Sequence, residues 1–594
     1  MTAAVAEAPS GVAAEPPAPV DGARAPRSGV RVVLAVLALL VVYGALSLAN
    51  DPRAFLGTDT GGKVATLRAM DARGDLDPDL GYWAEQYDPH GVAHPIALNY
   101  HIGDRWVTVT TLPMIYAAVP LHELGGLRGI LLLPMLGGCL SALAARALAR
   151  RIAARDRDRA GWVTFWAVSL ATPVVVYSLD FWEHTLGLAA MLWGVVALLD
   201  VADRPAPLVD GASAVSSGER AEPVSPAGWR AAALGGAAFG LAATMRTEAI
   251  VYAAVTFVVV GVTLLVHRRR DVLRIGAAAA VGFVVPLGLN HLFERVVLGQ
   301  GLRASRASSA VSDGGNDVGD RLGDAFRTTV GVNNFHPPAA DWVIGGLIAA
   351  FVAIAVVLML RGRRWPVLAW VALLGAALLY VVRFGDGLGF VPGMLVASPL
   401  AVAGLVGGWS STSGRRVAAI AIGALPLVWL YQYRGGANPQ WGGRYVLLSG
   451  ALLAVLGVVA LCARGRSALV PIVVAGLLVT GCGLGWLSVR SQGVADSAAV
   501  LDTTAPVLSI GLPHQLREWG ASYGPERRWL TAELDSELPV ALDVLDAVGA
   551  RRLTVVARTR SQAPRRLGPF VRTGREALPG VPGVDLVVAR YQRA

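Results

Sequence analysis

The sequence predicts an all-α polytopic membrane protein carrying a small α/β domain at its C-terminal end. Three observations point there. The 594 residues are 54% hydrophobic and 16% charged, with a mean hydropathy of +0.53, whereas a soluble globular chain carries nearer a quarter charged residues. Apolar stretches of about 18 to 20 residues, each long enough for a hydrocarbon core of roughly 30 Å, recur along most of the length. After residue 488 the pattern changes to short β-rich runs and one amphipathic helix.

The elements follow in order. Residues 1–30 are rich in Ala, Pro and Glu and read as a disordered cytoplasmic N-terminus. The apolar run after Arg31 is long enough to stay as an anchor rather than be cleaved. About thirteen spans follow within a transmembrane domain of residues 31–488. They cover 32–49, 127–148, 161–178, 185–201, 230–245, 249–266, 275–297, 341–360, 366–382, 390–409, 417–432, 445–462 and 468–488.

Arg24, Arg27 and Arg31 before the first span place the N-terminus inside. Alternation then makes "RALARRIAARDRDR", "HRRRDVLR", "RGRR", "SGRR" and "ARGR" cytoplasmic, and all are Arg-rich. The same alternation puts residues 50–126, 298–340 and 489–594 outside. The Pro- and Ser-rich stretch 202–229 reads as a cytoplasmic linker. In the tail, "APVLSIG", "RRWLTA", "LTVVA" and "DLVVARY" read as strands, and "ELPVALDVLDAVG" as a helix before a C-cap glycine.

Charge and cysteine usage narrow the function. The net charge of +10 arises from 52 basic and 42 acidic residues. Much of the excess lies in short loops, which marks topology rather than nucleic-acid binding. Cys139, Cys462 and Cys482 lie inside apolar spans, so no disulfide framework is implied. No internal repeat of the kind seen in many secondary transporters is visible.

The polar residues bordering these spans are unevenly distributed. "SLDFWEHTLG" places Asp180, Glu183 and His184 in one outward turn between two apolar runs. Of the nine histidines, His90, His94, His101, His122, His184, His291, His336 and His514 fall on or near the same side. Charges next to the bilayer centre are costly and tend to be functional. Asp59 comes just after the first span, with Lys63 four residues on, on one face of a helical segment. Asp59 also suits the N-cap of that helix. "YDPHGVAHP" offers Asp88, His90 and His94, donors able to hold a divalent cation such as Mg or Mn. "ATMRTEAIVY" sets Arg246 and Glu248 at a tight outer turn, as a mutual salt bridge or as part of a site. "WGGRYVLLSG" carries Arg444 and Tyr445 beside Gly442 and Gly443, suiting either an interface anchor or an anion-binding turn.

Taken together, "GTDTGG" after span one, a long first outer loop, "FWEHTLGLA", "MRTEA" and the late "PQWGGRY" resemble the GT-C superfamily of polytopic membrane glycosyltransferases. The style is that of the polyprenyl-phosphate-sugar-dependent branch, which includes protein O-mannosyltransferases and lipid A aminoarabinose transferases. The resemblance spans roughly residues 32–488. Many members carry adjacent acidic residues in the first loop, whereas here threonine follows Asp59, so Asp71, Asp75 and Asp88 stand as rivals. There is no "WWD" of oligosaccharyltransferase type. The Ala, Gly, Arg and Val richness, with Lys63 the only lysine, suggests an actinobacterial type of genome.

The resemblance implies an inverting transfer of a sugar from a polyprenyl-phosphate donor to a hydroxyl on a glycan, lipid or protein acceptor, for envelope glycan or glycoprotein synthesis. In that reading Asp59 is the general base. Arg246, Arg444 and Lys63 bind the donor phosphate, while Asp180, Glu183, His184, Glu248 and Tyr445 position the acceptor. The rival readings are a transporter or lipid flippase, and a non-catalytic scaffold for envelope assembly.

Overall fold

In the computed structural model of the chain, residues 26–54, 57–204, 226–302, 318–330, 339–362, 366–385, 391–431, 441–501, 503–512, 515–524, 526–581 and 584–594 are described. Residues 1–25 of the expected N-terminal tail, 205–225 of the linker, 303–317 and 331–338 of the second loop, and His336 and His514 lie outside them.

Among the described residues ten helices are long and apolar enough to cross a membrane, which makes this a multi-pass membrane protein. They coincide with ten of the expected spans. The first is α1 (Pro26–Ser47), which begins inside the segment read as disordered. Apolar side chains in lipid need no protein partner, so burial separates centre from rim. The helices α4 (Leu132–Ile152) and Arg444–Arg464 are 61% and 78% buried, α1 only 11%.

The other three expected spans differ. Residues 161–178 form two helices, α5 (Arg157–Leu170) and α6 (Val174–Ser178), broken at Ala171–Pro173. Residues 390–409 form Met394–Ala397 and Pro399–Gly407, broken at Ser398, whose φ of −134° and ψ of 84° leave the helical region. The cause at Ser398 is the residue after it, since proline disfavours a helical conformation in the residue before it. The third, Pro226–Met245, is a helix that is not among the ten.

The first loop is a folded body. It holds α2 (Thr58–Arg73), the hairpin β1 (Asn99–Ile102) and β2 (Arg105–Thr108), and α3 (Leu112–Gly129), kinked where Gly126 takes φ 57°. A short turn of residues 179–183 joins α6 to α7 (His184–Asp203).

The tail is the expected α/β unit with more sheet than the sequence shows. All four read strands form: β3 (Val507–Ile510), β4 (Trp529–Ala532), β5 (Arg552–Ala557) and β8 (Val584–Arg593). The read helix runs Leu538–Ala547. Two unread strands, β6 (Arg566–Leu567) and β7 (Phe570–Val581), complete a six-stranded sheet in the order β4-β3-β5-β8-β7-β6. The last long helix runs Arg466–Val500, so residues 489–500 are helical, and Val494, Ala495 and Ala498 among them pack in the core of the tail.

The tail and the first loop share one core. Leu80, Tyr82 and Trp106 of the loop pack with Leu516, Trp519 and Trp529 of the tail. Trp83 Nε1 donates to the Trp529 carbonyl at 2.8 Å, and the Tyr523 hydroxyl to the Gly81 carbonyl at 2.8 Å. Such mixed burial makes two sequence-distant segments one folding unit. It fixes α2 between the tail and the bundle.

Candidate active site

The site begins with α2. Its N-cap is Gly57, and Asp59 sits inside the first turn. Asp59 is therefore not the N-cap, and its carboxylate points to two arginines instead. Oδ2 is 3.5 Å from Arg444 Nη1 and Oδ1 is 3.5 Å from Arg517 Nη2. Both contacts are at the long limit of a hydrogen bond. The Asp59 side chain is 30% exposed, while the arginines are 11% and 0% exposed. Burial pushes the Asp59 carboxyl up, but Arg517, Arg444, Lys63 and Arg246 outweigh it and hold it at about 2.

One turn further along α2, Lys63 is fully buried and its Nζ binds Glu183 Oε2. Glu183 Oε1 accepts from Arg246 Nη1 at 3.3 Å, and Arg246 Nε donates to Glu248 Oε1 at 2.8 Å. An alternating chain thus runs Lys63–Glu183–Arg246–Glu248 across three segments distant in sequence. Burial raises and the Lys63 and Arg246 charges lower the Glu183 carboxyl, which ends below its usual range.

Aromatic rings hold the cations in place. The Tyr445 ring lies between Arg444 and Arg246, with guanidinium carbons 4.6 and 5.0 Å from its centre, and Arg444 is 5.5 Å from the Trp182 ring. His184 stacks on Tyr177 at 4.8 Å and leans on Trp182 at 4.2 Å. Both ring nitrogens of His184, the Tyr177 hydroxyl, Arg246 Nη2 and Glu248 Oε2 are buried with no hydrogen-bond partner among the described residues. Asp180 accepts from Thr60 Oγ1 at 3.1 Å.

The structure therefore brings Asp59, Lys63, Asp180, Glu183, His184, Arg246, Glu248, Arg444 and Tyr445 together at one end of the bundle. Of the three rivals to Asp59, Asp71 and Asp75 are exposed, with Asp71 3.4 Å from Arg68 on its own helix, and Asp88 is buried within the first loop. Sequence reasoning missed Arg517, Thr60, Tyr177 and Trp182. Thr60 and Trp182 had signals, since each flanks a residue already singled out, and Tyr177 directly precedes "SLDFWEHTLG". Arg517 had none, because it lies in a segment with no charge pattern of its own.

The expected cation set is corrected. Asp88 is buried and accepts from the Tyr82 hydroxyl (2.9 Å), the Val92 N–H (3.1 Å) and the Ala93 N–H (2.8 Å). His94 Nδ1 accepts from the Ile96 N–H at 3.1 Å, and burial holds its imidazole down at about 4. His90 is exposed. The three brace or border a loop, and among the described residues no group of His, Cys, Asp and Glu side chains is placed to hold a metal ion.

No family model matches the chain, and no curated protein matches it. Similarity to solved structures was found. One is ArnT from Cupriavidus metallidurans bound to undecaprenyl phosphate, 15% identical over 94% of this chain and 97% of that one, with a TM-score of 0.42. A second is the oligosaccharyltransferase of Archaeoglobus fulgidus in its apo form, 11% identical over 87% and 69%, with a TM-score of 0.42. The archaeal oligosaccharyltransferase AglB from Archaeoglobus fulgidus in complex with an inhibitory peptide and a dolichol-phosphate is 10% identical over 88% and 69%, at 0.40.

Proposed function

We propose that this protein is a membrane glycosyltransferase that moves a sugar from a polyprenyl-phosphate donor to an acceptor hydroxyl on the extracytoplasmic face. One observation carries the reading. A partly exposed carboxylate, Asp59, is flanked at 3.5 Å by two guanidiniums at the end of an apolar helix bundle. A lipid-tailed phosphate reaches such a place with its tail in the bilayer and its sugar in water. The long Asp59–Arg444 contact is easily exchanged for a phosphate oxygen, which arginine binds bidentately.

In the proposed step the acceptor oxygen attacks the anomeric carbon and gives its proton to Asp59. The anomeric carbon–oxygen bond breaks, and the polyprenyl phosphate leaves carrying the bonding electron pair. Arg444 and the unpartnered Nη2 of Arg246 meet the charge growing on that phosphate. Lys63 supplies field rather than contact, because its ammonium already binds Glu183. On the acceptor side the unpartnered His184 nitrogens and Glu248 Oε2 offer hydrogen bonds, while Asp180, Glu183 and Tyr445 fix the walls. A carboxylate held at about 2 is a weak base at rest. The incoming phosphate charge offsets the arginines and moves Asp59 toward the range in which general-base catalysis works.

The experiment is transfer from labelled polyprenyl-phosphate pentose and hexose donors in membranes carrying wild type or Asp59→Asn at matched expression. The proposal expects a loss of at least about a hundredfold in the variant, with binding of undecaprenyl phosphate retained. Wild-type transfer with an unimpaired Asn variant removes Asp59 as the base. Absence of transfer by the wild type with every donor overturns the reading.

A further inference from the structure

The glycosyl-transfer reading leaves the C-terminal domain without a task, yet that domain sends one side chain into the site. Arg517 belongs to the short helix Gln515–Glu518. Its side chain is 0% exposed, and only its Nη2 reaches a carboxylate, Asp59 Oδ1 at 3.5 Å. Its Nε and Nη1 have no partner among the described residues. Burying a guanidinium so incompletely satisfied is costly, and a surface domain has no structural need for it.

The backbone around Arg517 is packed for this placement. A Cβ on Gly61 of α2 would lie 1.8 Å from the Arg517 carbonyl oxygen, and one on Gly520 would lie 1.9 Å from the Gly61 carbonyl oxygen. A Cβ on Gly62 would sit 2.9 Å from Arg517 Nε and 2.7 Å from Thr108 Oγ1. A larger residue at Gly61 or Gly520 forces the backbone of the tail away from α2, and one at Gly62 crowds the guanidinium itself. The neighbours of Arg517 are clamped as well. Glu518 accepts from Arg490 Nη2 at 2.8 Å, and Trp519 Nε1 donates to Ser497 Oγ at 3.0 Å, both partners lying on the last long helix.

We infer that Arg517 is a positioning residue of the transfer site, through which the C-terminal domain holds the Asp59 carboxylate charged and oriented. The inference rests on the reading of Asp59 as the base. It divides the two arginines. Arg444, partly exposed, is the one that turns to the donor phosphate, and Arg517, enclosed, stays with Asp59. The groups facing Asp59 are Lys63 on its own helix, Arg444 and Tyr445, Arg246, Glu183, and Asp180 through Thr60. Against burial, Arg517 leads the cations that lower the Asp59 carboxyl.

The test reads Asp59 directly. The purified full-length protein in detergent is treated with dicyclohexylcarbodiimide, which attacks protonated carboxyls, and the peptide bearing Asp59 is quantified by mass spectrometry from pH 1 to pH 7, a window that reaches below the wild-type value of about 2. Wild type is expected to stay unmodified above about pH 4. In Arg517→Gln the midpoint is expected to rise by about one pH unit or more, a tenfold change in the acid dissociation constant. Arg517→Lys, which keeps the charge, returns the midpoint most of the way to wild type. Should the Gln variant not fold, Arg517→Met fills the same volume without a buried charge and carries the same expectation. A midpoint unmoved in the Gln or Met variant, or moved equally in Lys, overturns the inference. Modification needs neither donor nor acceptor, so its outcome is separate from that of the transfer assay. Where the wild type transfers sugar, the acid limb of its pH profile should move upward in Arg517→Gln in step with the labelling midpoint.

Discussion

The buried ionic chain makes a quantitative prediction about Glu183. This carboxylate is shared between Lys63, which has no other ionic partner among the described residues, and Arg246, which also holds Glu248. Glu183→Gln keeps the shape, and its amide oxygen still accepts one hydrogen bond. The change leaves the Lys63 ammonium, 0% exposed, without a counter-charge. Breaking a buried pair from one side costs about 3–5 kcal/mol, and the retained hydrogen bond puts this case near the lower figure, about 3 kcal/mol. Lys63→Met alone strands half of Glu183, which keeps Arg246, and should cost less. With both changes the stranded charge is gone, so the double variant should be more stable than the sum of the singles by about 2 kcal/mol. Denaturant-driven unfolding of the purified protein in mixed micelles, followed by tryptophan fluorescence, measures all four proteins. Additive single effects would refute the reasoning, because they would mean that Lys63 finds water or another anion. The pH dependence has a fixed sign. The folded carboxyl lies below the ordinary value of 4.5, so the pair's contribution is complete above that value and fades as pH falls through the lowered one. The gap between wild type and Glu183→Gln should therefore hold at pH 6 and narrow only in strong acid.

Further outcomes follow from the interfaces around the site. Gly61→Ala places a methyl 1.8 Å from a backbone oxygen of the tail. Overpacking of that kind costs about 1–3 kcal/mol and should expose the tail to limited proteolysis before the bundle, whereas unchanged protection would deny the close approach. Asp88→Ala orphans the Tyr82 hydroxyl and two backbone N–H groups. At about 1–3 kcal/mol per stranded donor, with water rescuing some, roughly 3 kcal/mol should be lost in the same unfolding assay. Added Mg2+ or Mn2+ should shift wild type and Asp88→Ala alike, and a shift confined to wild type would restore a cation role to that loop.

Much of the helical framework was legible in the sequence, because a membrane span is a local property. About 20 apolar residues cross a bilayer whatever surrounds them, and ten of the expected spans appear as such helices. The two interrupted ones carried their signal in "ATPV" and "ASPL", where Pro173 and Pro399 disfavour a helical conformation in the residue before them. Hydrophobicity alone reads straight through such breaks. Strand β7, "FVRTGREALPGV", was hidden because charge, glycine and proline argue against a strand, while pairing to β8 on one side and β6 on the other supplies the bonds its sequence does not advertise.

The candidate site divides along the same line. By itself the sequence determined which residues were suspicious, since Asp59, Lys63, Asp180, Glu183, His184, Arg246, Glu248 and Arg444 each border an apolar run where a charge is expensive. It also determined that all of these but Asp59 and Lys63, which lie in the long first loop, fall in short turns at span ends. The tertiary structure alone decided how they pair: Lys63 with Glu183 rather than with Asp59 on its own helix, and Asp59 with two arginines far along the chain. It alone brought Arg517 across from the tail, and it alone turned Asp88 from a candidate metal ligand into the brace of a loop. The physical reason is the range of the forces involved. Periodicity and desolvation act along the chain and leave a local trace, whereas the partner of a buried charge is set by which backbones can approach, here through Gly61 and Gly520, and that is known only once the chain has folded.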